Sequence, residues 1–463
     1  MAIGSDSDAS HHRATLPGSS RSPAPIGAVI AFTMLNSVGT ATVTNGIYYI
    51  TDSGYGFTRG LNLGLGVTIG ASYIAGAALA WRVPAWLRSV IPGLTSRGML
   101  LLLMALMGAV CLIPMALVLS GFGPLTSQGQ VEGRAGTAGM VGVVGVWGVI
   151  VVYSALSGVL WPVVESFLSG GRRGEGLRRV MGWWNVSWAG SALMAQILMS
   201  PLVKDDPQTA VFEPALILAA TGVIHAAAAL VLARLPREPA PHEDEHHGAH
   251  PADYPRLLIT FRLLLPMGYV VLSALAPILA WLLESLGVPD RERPVYGAAW
   301  IVPRVIMFWV LSRWHGWEGR WWAAIAGGGL IVGGFGVALL APILVPEQGT
   351  LVITLVGLGV FGTGMALVYT AAIYYAMEVG RSQVAAGGTH ESLIGVGYLL
   401  GPMCGLAAES AVALRIIPPS GFGPALFGVV GVLALGTTLV VIRRVWKLSS
   451  TPVVRTGEDR GGG

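Results

Sequence analysis

Residues 139–168 read GMVGVVGVWGVIVVYSALSGVLWPVVESFL, with Glu165 as the one charged side chain. At 1.5 Å per residue a helix over this stretch is about 45 Å long, more than the roughly 30 Å of hydrocarbon in a bilayer. A helix on the surface of a soluble protein needs a polar face along its length. Val141–Tyr153 has no charged residue, and neither does Leu426–Val441. The same pattern recurs through the chain. Apolar stretches long enough to span a bilayer are expected at about 26–50, 60–80, 98–120, 139–168, 182–202, 212–234, 258–287, 295–314, 321–345, 349–378, 388–412 and 422–446. The Gly, Pro and Ser within them would weaken soluble helices but are ordinary in membrane helices. Composition agrees: 53% of residues are hydrophobic and 11% charged, against roughly 25% charged in a soluble domain. The expected fold class is an all-α polytopic membrane protein of twelve transmembrane helices.

The net charge of +4 says less than its distribution. With the N-terminus in the cytoplasm, 21 basic residues fall on the cytoplasmic side. Six fall opposite: Arg59, Arg134, Lys204, Arg291, Arg293 and Arg415, and Arg304 alone lies deep inside a helix. The positive-inside rule then places both termini in the cytoplasm and makes the helix number even. A multi-pass protein of the cell (plasma or inner) membrane is expected. The basic character is topology; no basic-and-aromatic platform for nucleic acid accompanies it. Cys111 and Cys404 lie within apolar stretches, so neither a disulfide nor a zinc framework is expected. Residues 1–25 read as a disordered tail, because they lack the apolar core of a signal peptide. His242, His246, His247 and His250 sit in a Pro-rich acidic segment and read as a solvated linker, not a metal site. Gly-x-Gly patterns precede no strand and no Walker motif is present, so no nucleotide or other cofactor is expected, and transport would be driven by gradients.

The linker, 235–257, divides the chain into six-helix bundles at 26–234 and 258–446, with a second tail at 447–463. The halves share a weak repeat. Ser157, Trp161 and Glu165 are spaced by four in the fourth helix, as Thr370, Tyr374 and Glu378 are in the tenth. Gly182-Trp-Trp-Asn185 opens the fifth expected helix and Gly388-Thr-His-Glu391 the eleventh.

Twelve helices split six and six at a charged linker, with both ends inside, resemble the major facilitator superfamily. Leu160-Trp-Pro-Val-Val-Glu165-Ser-Phe-Leu-Ser-Gly-Gly-Arg172 looks like the junction of helices 4 and 5 in that family. Gly388–Pro402 is similar to its helix 11. The resemblance covers 26–446 as architecture. The loop from Trp81 to Arg97 departs from it, lacking the acidic residue followed by Gly-Arg that many members carry. The resemblance implies two pseudo-symmetric bundles with a central cavity lined by helices 1, 4, 7 and 10. It also implies secondary active transport or facilitation of a small solute by alternating access.

The polar residues fall where that cavity is expected. Thr42, Asn45, Tyr49 and Asp52 form one stripe of the first helix, and Tyr269, Ser273 and Glu284 align on the seventh. Candidate substrate-binding residues are Asn45, Tyr49, Ser157, Trp161, Tyr269, Arg304 and Tyr374. Arg304 lies deep in an apolar helix, where its planar guanidinium suits a carboxylate or phosphate; the bland alternative is a pair with another helix's acidic group or an outward snorkel helped by Pro303. Candidate gating or coupling residues are Glu165, Arg172, Glu378, Arg381, His390 and Glu391. Glu165–Arg172 and Glu378–Arg381 are candidate latches. Glu391, at the expected start of its helix, can instead simply complement the helix dipole. His225 reads as a buried, hydrogen-bonded histidine. Expected partners are a small-molecule substrate with an anionic group, membrane lipids and protons, with the chain a monomer. A polytopic transferase acting on a lipid-linked substrate and a transport-dead receptor on the same fold are the rival readings. The topology is tested by cysteine labelling: probes at Ser127 and Ser449 are expected to react from opposite sides of the membrane, and reaction from one side would overturn the helix count.

Overall fold

In a computed structural model the described residues are 22–122, 137–172, 174–203, 213–241, 251, 253–379 and 383–450. Most of both expected tails, the linker histidines, Ser127 and Arg381 lie outside them. The described residues form twelve long helices and no strand. They are α1 (Ile26–Tyr55), α2 (Arg59–Leu79), α3 (Ser96–Leu119), α4 (Thr137–Ser169), α5 (Gly174–Met199) and α6 (Glu213–Arg234) in the first half. The second half holds α7 (Tyr254–Ser285), α8 (Arg293–Leu311), α9 (Trp321–Leu344), α10 (Glu347–Val379), α11 (Gln383–Ala413) and α12 (Phe422–Ser450). Eleven are long and apolar enough to cross a membrane. The other, α5, has a similar length but carries Glu175, Arg178, Arg179, Asn185 and Gln196. It is tolerated because it packs between α1 and α8.

Local signals set several ends. The Thr58 hydroxyl accepts from the Leu61 amide at 3.3 Å to open α2, and Thr95 accepts from Gly98 at 3.1 Å to open α3. Each satisfies one of the donors that a helix start leaves without a carbonyl. Gly56, at φ 62°, ends α1 in the left-handed conformation that glycine adopts without strain.

The structure corrects two helix starts and adds three local features. Helix α5 begins at Gly174, so Arg178 is helical and not in a loop. Helix α11 begins at Gln383, which moves His390 and Glu391 from a helix start into its interior. The dipole reading of Glu391 therefore loses its basis, since that effect fades beyond the first turn. Helix α8 is broken by a 3-10 turn at Ala298–Trp300. Helix α1 contains a π-helical segment, Thr42–Gly46, and Arg82–Val90 forms a short helix in what reads as a loop.

The two six-helix bundles are pseudo-symmetric in their packing. In the first, α1 packs on α5 and α6, α2 on α4, and α3 on α4 and α6. In the second, α7 packs on α11 and α12, α8 on α10, and α9 on α10 and α12. Shifting each helix by six turns one set into the other. Between the halves, α2 packs on α11 and α5 on α8, two contacts that exchange under the same operation, and α4 also packs on α11. Of the expected repeat, Ser157 and Thr370 are alike as buried hydroxyls with no hydrogen-bond partner, whereas Glu165 is buried and Glu378 partly exposed.

Close backbone approach depends on glycine where packing, not water exclusion, drives helix association. A Cβ at Gly76 in α2 would collide with the carbonyl oxygen of Ala155 in α4. Gly329, by contrast, has open space around it. Gly76→Ala is therefore predicted to destabilise the protein by about 1–3 kcal/mol through overpacking. Gly329→Ala is expected to be neutral. Melting of the detergent-purified variants checks this, and equal melting temperatures would contradict it.

Candidate functional site

Where the halves meet, a cavity of about 80 Å³ is lined by α1, α2, α4, α5, α7, α8, α10 and α11. That is room for several water molecules, and less than the roughly 300 Å³ or more of a filled small-molecule site. The π segment of α1 supplies Thr44 and Asn45 to its wall. A π segment displaces the residues that follow it around the helix and is frequent at functional sites. Aromatic rings dominate the remainder: Trp161, Trp184 and Trp188 from the first half face Tyr269, Trp300 and Tyr369 from the second. The Trp184 indole donates to Thr33 at 3.0 Å, and the Trp188 indole to Asn185 at 3.2 Å. Their rings are thereby fixed.

Arg304 is 1% exposed and lies on this wall. Its guanidinium carbon is 4.5 Å from the Trp188 ring centroid, 5.3 Å from Trp300, 5.4 Å from Phe308 and 5.5 Å from Tyr369. Ring faces stabilise a desolvated cation but accept no conventional hydrogen bond. Arg304 Nε and Nη2 consequently have no partner. No carboxylate among the described residues forms an ion pair with it. Glu284 instead approaches Arg293, at 3.7 Å.

Beside the cavity lies a second group of buried charges. Glu391 lines the wall and accepts a hydrogen bond from the Tyr73 hydroxyl. Glu165 of α4, His390 and Glu391 bring ligand atoms within 4.8 Å of one another, and all three are buried. Nε2 of His390 lacks a hydrogen-bond partner, and the Glu165 oxygens have none beyond the Glu391 carboxyl they face. The His390 ring lies 5.4 Å from that of Tyr369, which joins this group to the Arg304 sleeve.

The predicted residues divide accordingly. Asn45, Trp161, Tyr269 and Arg304 line the central cavity. Tyr49 lines a smaller chamber next to it, with Asn45 and Trp300. Ser157 is buried without lining the cavity. Tyr374 lies elsewhere, against Trp317 and Tyr254. Glu165 and Arg172 are not brought together, because Arg172 donates to the carbonyls of Phe167, Leu168 and Ala24. Glu378 is partly exposed, and Arg381 lies outside the described residues. His225 meets the Tyr153 hydroxyl at 2.9 Å, as its buried reading requires. The sequence reading missed Tyr73, Trp184, Trp188, Tyr369 and Tyr398. As aromatics in apolar stretches they carry no periodic signal to distinguish them from core or lipid-facing rings.

Ion pairs join the halves at both ends of this interface. At the end away from the termini, Arg59 of α2 meets Glu409 of α11 at 2.6 Å, and its guanidinium stacks on Trp281 and Phe422. Arg293 of α8 approaches Asp52 of α1 at 3.5 Å. At the opposite end Arg178 of α5 meets Glu318 at 2.5 Å.

The chain is similar in structure to a D323A mutant of the nucleoside transporter NupG: TM-score 0.59 at 13% identity, over 89% of this chain and 99% of that one. It is also similar to a bacterial homologue of the iron transporter ferroportin in an outward-facing state, with TM-score 0.56 at 16% identity, over 92% of this chain and 99% of that one. No protein-family model and no curated protein sequence matches it. The chain shares the fold of these transporters over most of its length, the architecture that its resemblance to the major facilitator superfamily implied.

The Arg59–Glu409 contact generates a prediction. Glu409→Gln leaves Arg59 without its counter-charge between two aromatic rings and should loosen that end of the interface. Spin labels at Leu61 and Leu414 are expected to show a longer mean distance in the variant. An unchanged distribution would mean that the contact does not hold the ends together.

Proposed function

We propose that the protein is a secondary transporter that moves a small organic solute with an anionic group by alternating access. The observation that carries this reading is Arg304: a buried guanidinium with two unused donors, on the wall of a cavity between the two halves. A buried charge left without hydrogen bonds is costly. A carboxylate or phosphate in the cavity would supply them, in the planar geometry that guanidinium favours. The aromatic walls would hold the apolar body of the same molecule. The structurally similar proteins are transporters, which supports transport over a membrane transferase. The retained polar cavity residues argue against a transport-dead receptor.

In this reading 26–234 and 258–446 rock as units about the α2–α11 and α5–α8 contacts, with both termini in the cytoplasm and the chain acting as a monomer. Pairs at one end break as that end opens. Coupling to protons belongs to the reading as well. Glu391 reaches the cavity wall and Glu165 lies behind it, so one carboxyl group is open to entering water and close to a second.

Uptake of candidate solutes into proteoliposomes, with and without a pH gradient, tests the reading. Arg304→Lys keeps the charge and loses the fork, and should weaken apparent affinity about 10- to 100-fold, the worth of about 1.5–3 kcal/mol of charge-assisted bonding. Arg304→Ala should abolish uptake while the protein still inserts and purifies normally. Normal uptake by Arg304→Ala would remove the anionic substrate from the reading.

A further inference from the structure

Glu165, His390 and Glu391 are more than a pair of acids that exchange protons. We propose that they form a binding site for one divalent transition-metal cation, held between the two halves of the protein. Glu165 comes from α4 of the first half, and His390 and Glu391 from α11 of the second.

Three observations carry this. The first is the donor set. Two carboxylates and one imidazole, with ligand atoms within 4.8 Å of one another, match the chemistry of manganese, iron or zinc. Metal–ligand bonds of about 2.1 Å place neighbouring ligands about 3.0–3.4 Å apart, so the group needs a closure of only about 1–2 Å. The second is unused capacity: apart from a proton shared with the Glu391 carboxyl, nothing bonds Oε1 or Oε2 of Glu165, and Nε2 of His390 has no hydrogen-bond partner, at 1% and 4% residue exposure. Buried polar atoms rarely stay unpaired in a native protein, and an ion the structure does not carry is one standard explanation. The third is charge. Two buried carboxyl groups face each other across the interface, with Arg262 of α7 near His390 and Arg304 on the same cavity wall as Glu391. A divalent cation would neutralise the pair.

The remaining contacts fit outer support of a metal site. The Tyr73 hydroxyl on Glu391 would orient that ligand, as hydrogen bonds behind metal ligands do. Gly387 leaves the space that the Glu165 carboxylate occupies, where a Cβ would collide with Oε2. A bound cation would tie α4 to α11 and so join the halves on the terminus-bearing side of the cavity. The site does not depend on the transport reading, since binding can be measured without a substrate.

The test is Mn²⁺ binding to the full-length protein in detergent, followed by the loss of the free-ion EPR signal. His242, His246, His247 and His250 are replaced by Asn to remove adventitious sites. One Mn²⁺ per chain is expected. Glu165→Gln and His390→Gln, each in that background, should lower affinity by about 10- to 100-fold or more. Should a variant fail to purify as a monodisperse protein, the parent still decides. Bound Mn²⁺ must show the ¹⁴N coupling of a ligating imidazole and must raise the melting temperature. No stoichiometric binding, binding that survives both substitutions, or bound Mn²⁺ without ¹⁴N coupling would each overturn the proposal.

Discussion

Three ionisable side chains, Glu165, Glu391 and Arg304, are buried in a bundle whose outer face is hydrocarbon-like, and the rest of the structure answers to that constraint. Isolated charges in such a medium are expensive, so they must face protein, water or a ligand. Only the seam between the halves offers that environment. The charges are placed there on α4, α8 and α11.

The protein treats the two signs differently. Around Arg304 it builds a sleeve of rings that stabilises the cation without consuming its donors. Around the carboxylates it places one tyrosine hydroxyl and an imidazole and leaves most acceptors free. Each arrangement leaves donors or acceptors unused, which the proposed anion beside the guanidinium and the proposed cation beside the carboxylates would take up. The ion pairs at the two ends of the seam have the opposite character. They are satisfied as they stand, partly exposed to solvent, and suited to exchange with water when an end opens.

The fold was largely legible because it rests on apolar length, a property each segment carries by itself. Residues 139–168 needed nothing else. Helix α5 shows where that signal weakens: its start at Glu175–Arg179 reads as loop, because tertiary packing, not hydropathy, shelters it. The site was only half legible. Arg304 and Glu165 stand out as charges in apolar sequence. Their surroundings do not, since the pairing of Glu165 with His390 and Glu391 spans more than two hundred residues and depends on how α4 meets α11. The expected Glu165–Arg172 pair followed sequence distance, whereas Arg172 turned to the free carbonyls at the end of its own helix. The π segment of α1 and the break in α8, both of which shape the cavity, are backbone adjustments without a side-chain signature.

The central claim is that the cavity between the halves opens to each side of the membrane in turn. A cysteine at Ala192, on the wall of that cavity, in a background where Cys111 and Cys404 are replaced by Ala, tests it most directly. The account predicts that a membrane-impermeant thiol reagent reaches this cysteine both in right-side-out and in inside-out vesicles. Labelling from one side alone, or from neither, would contradict it.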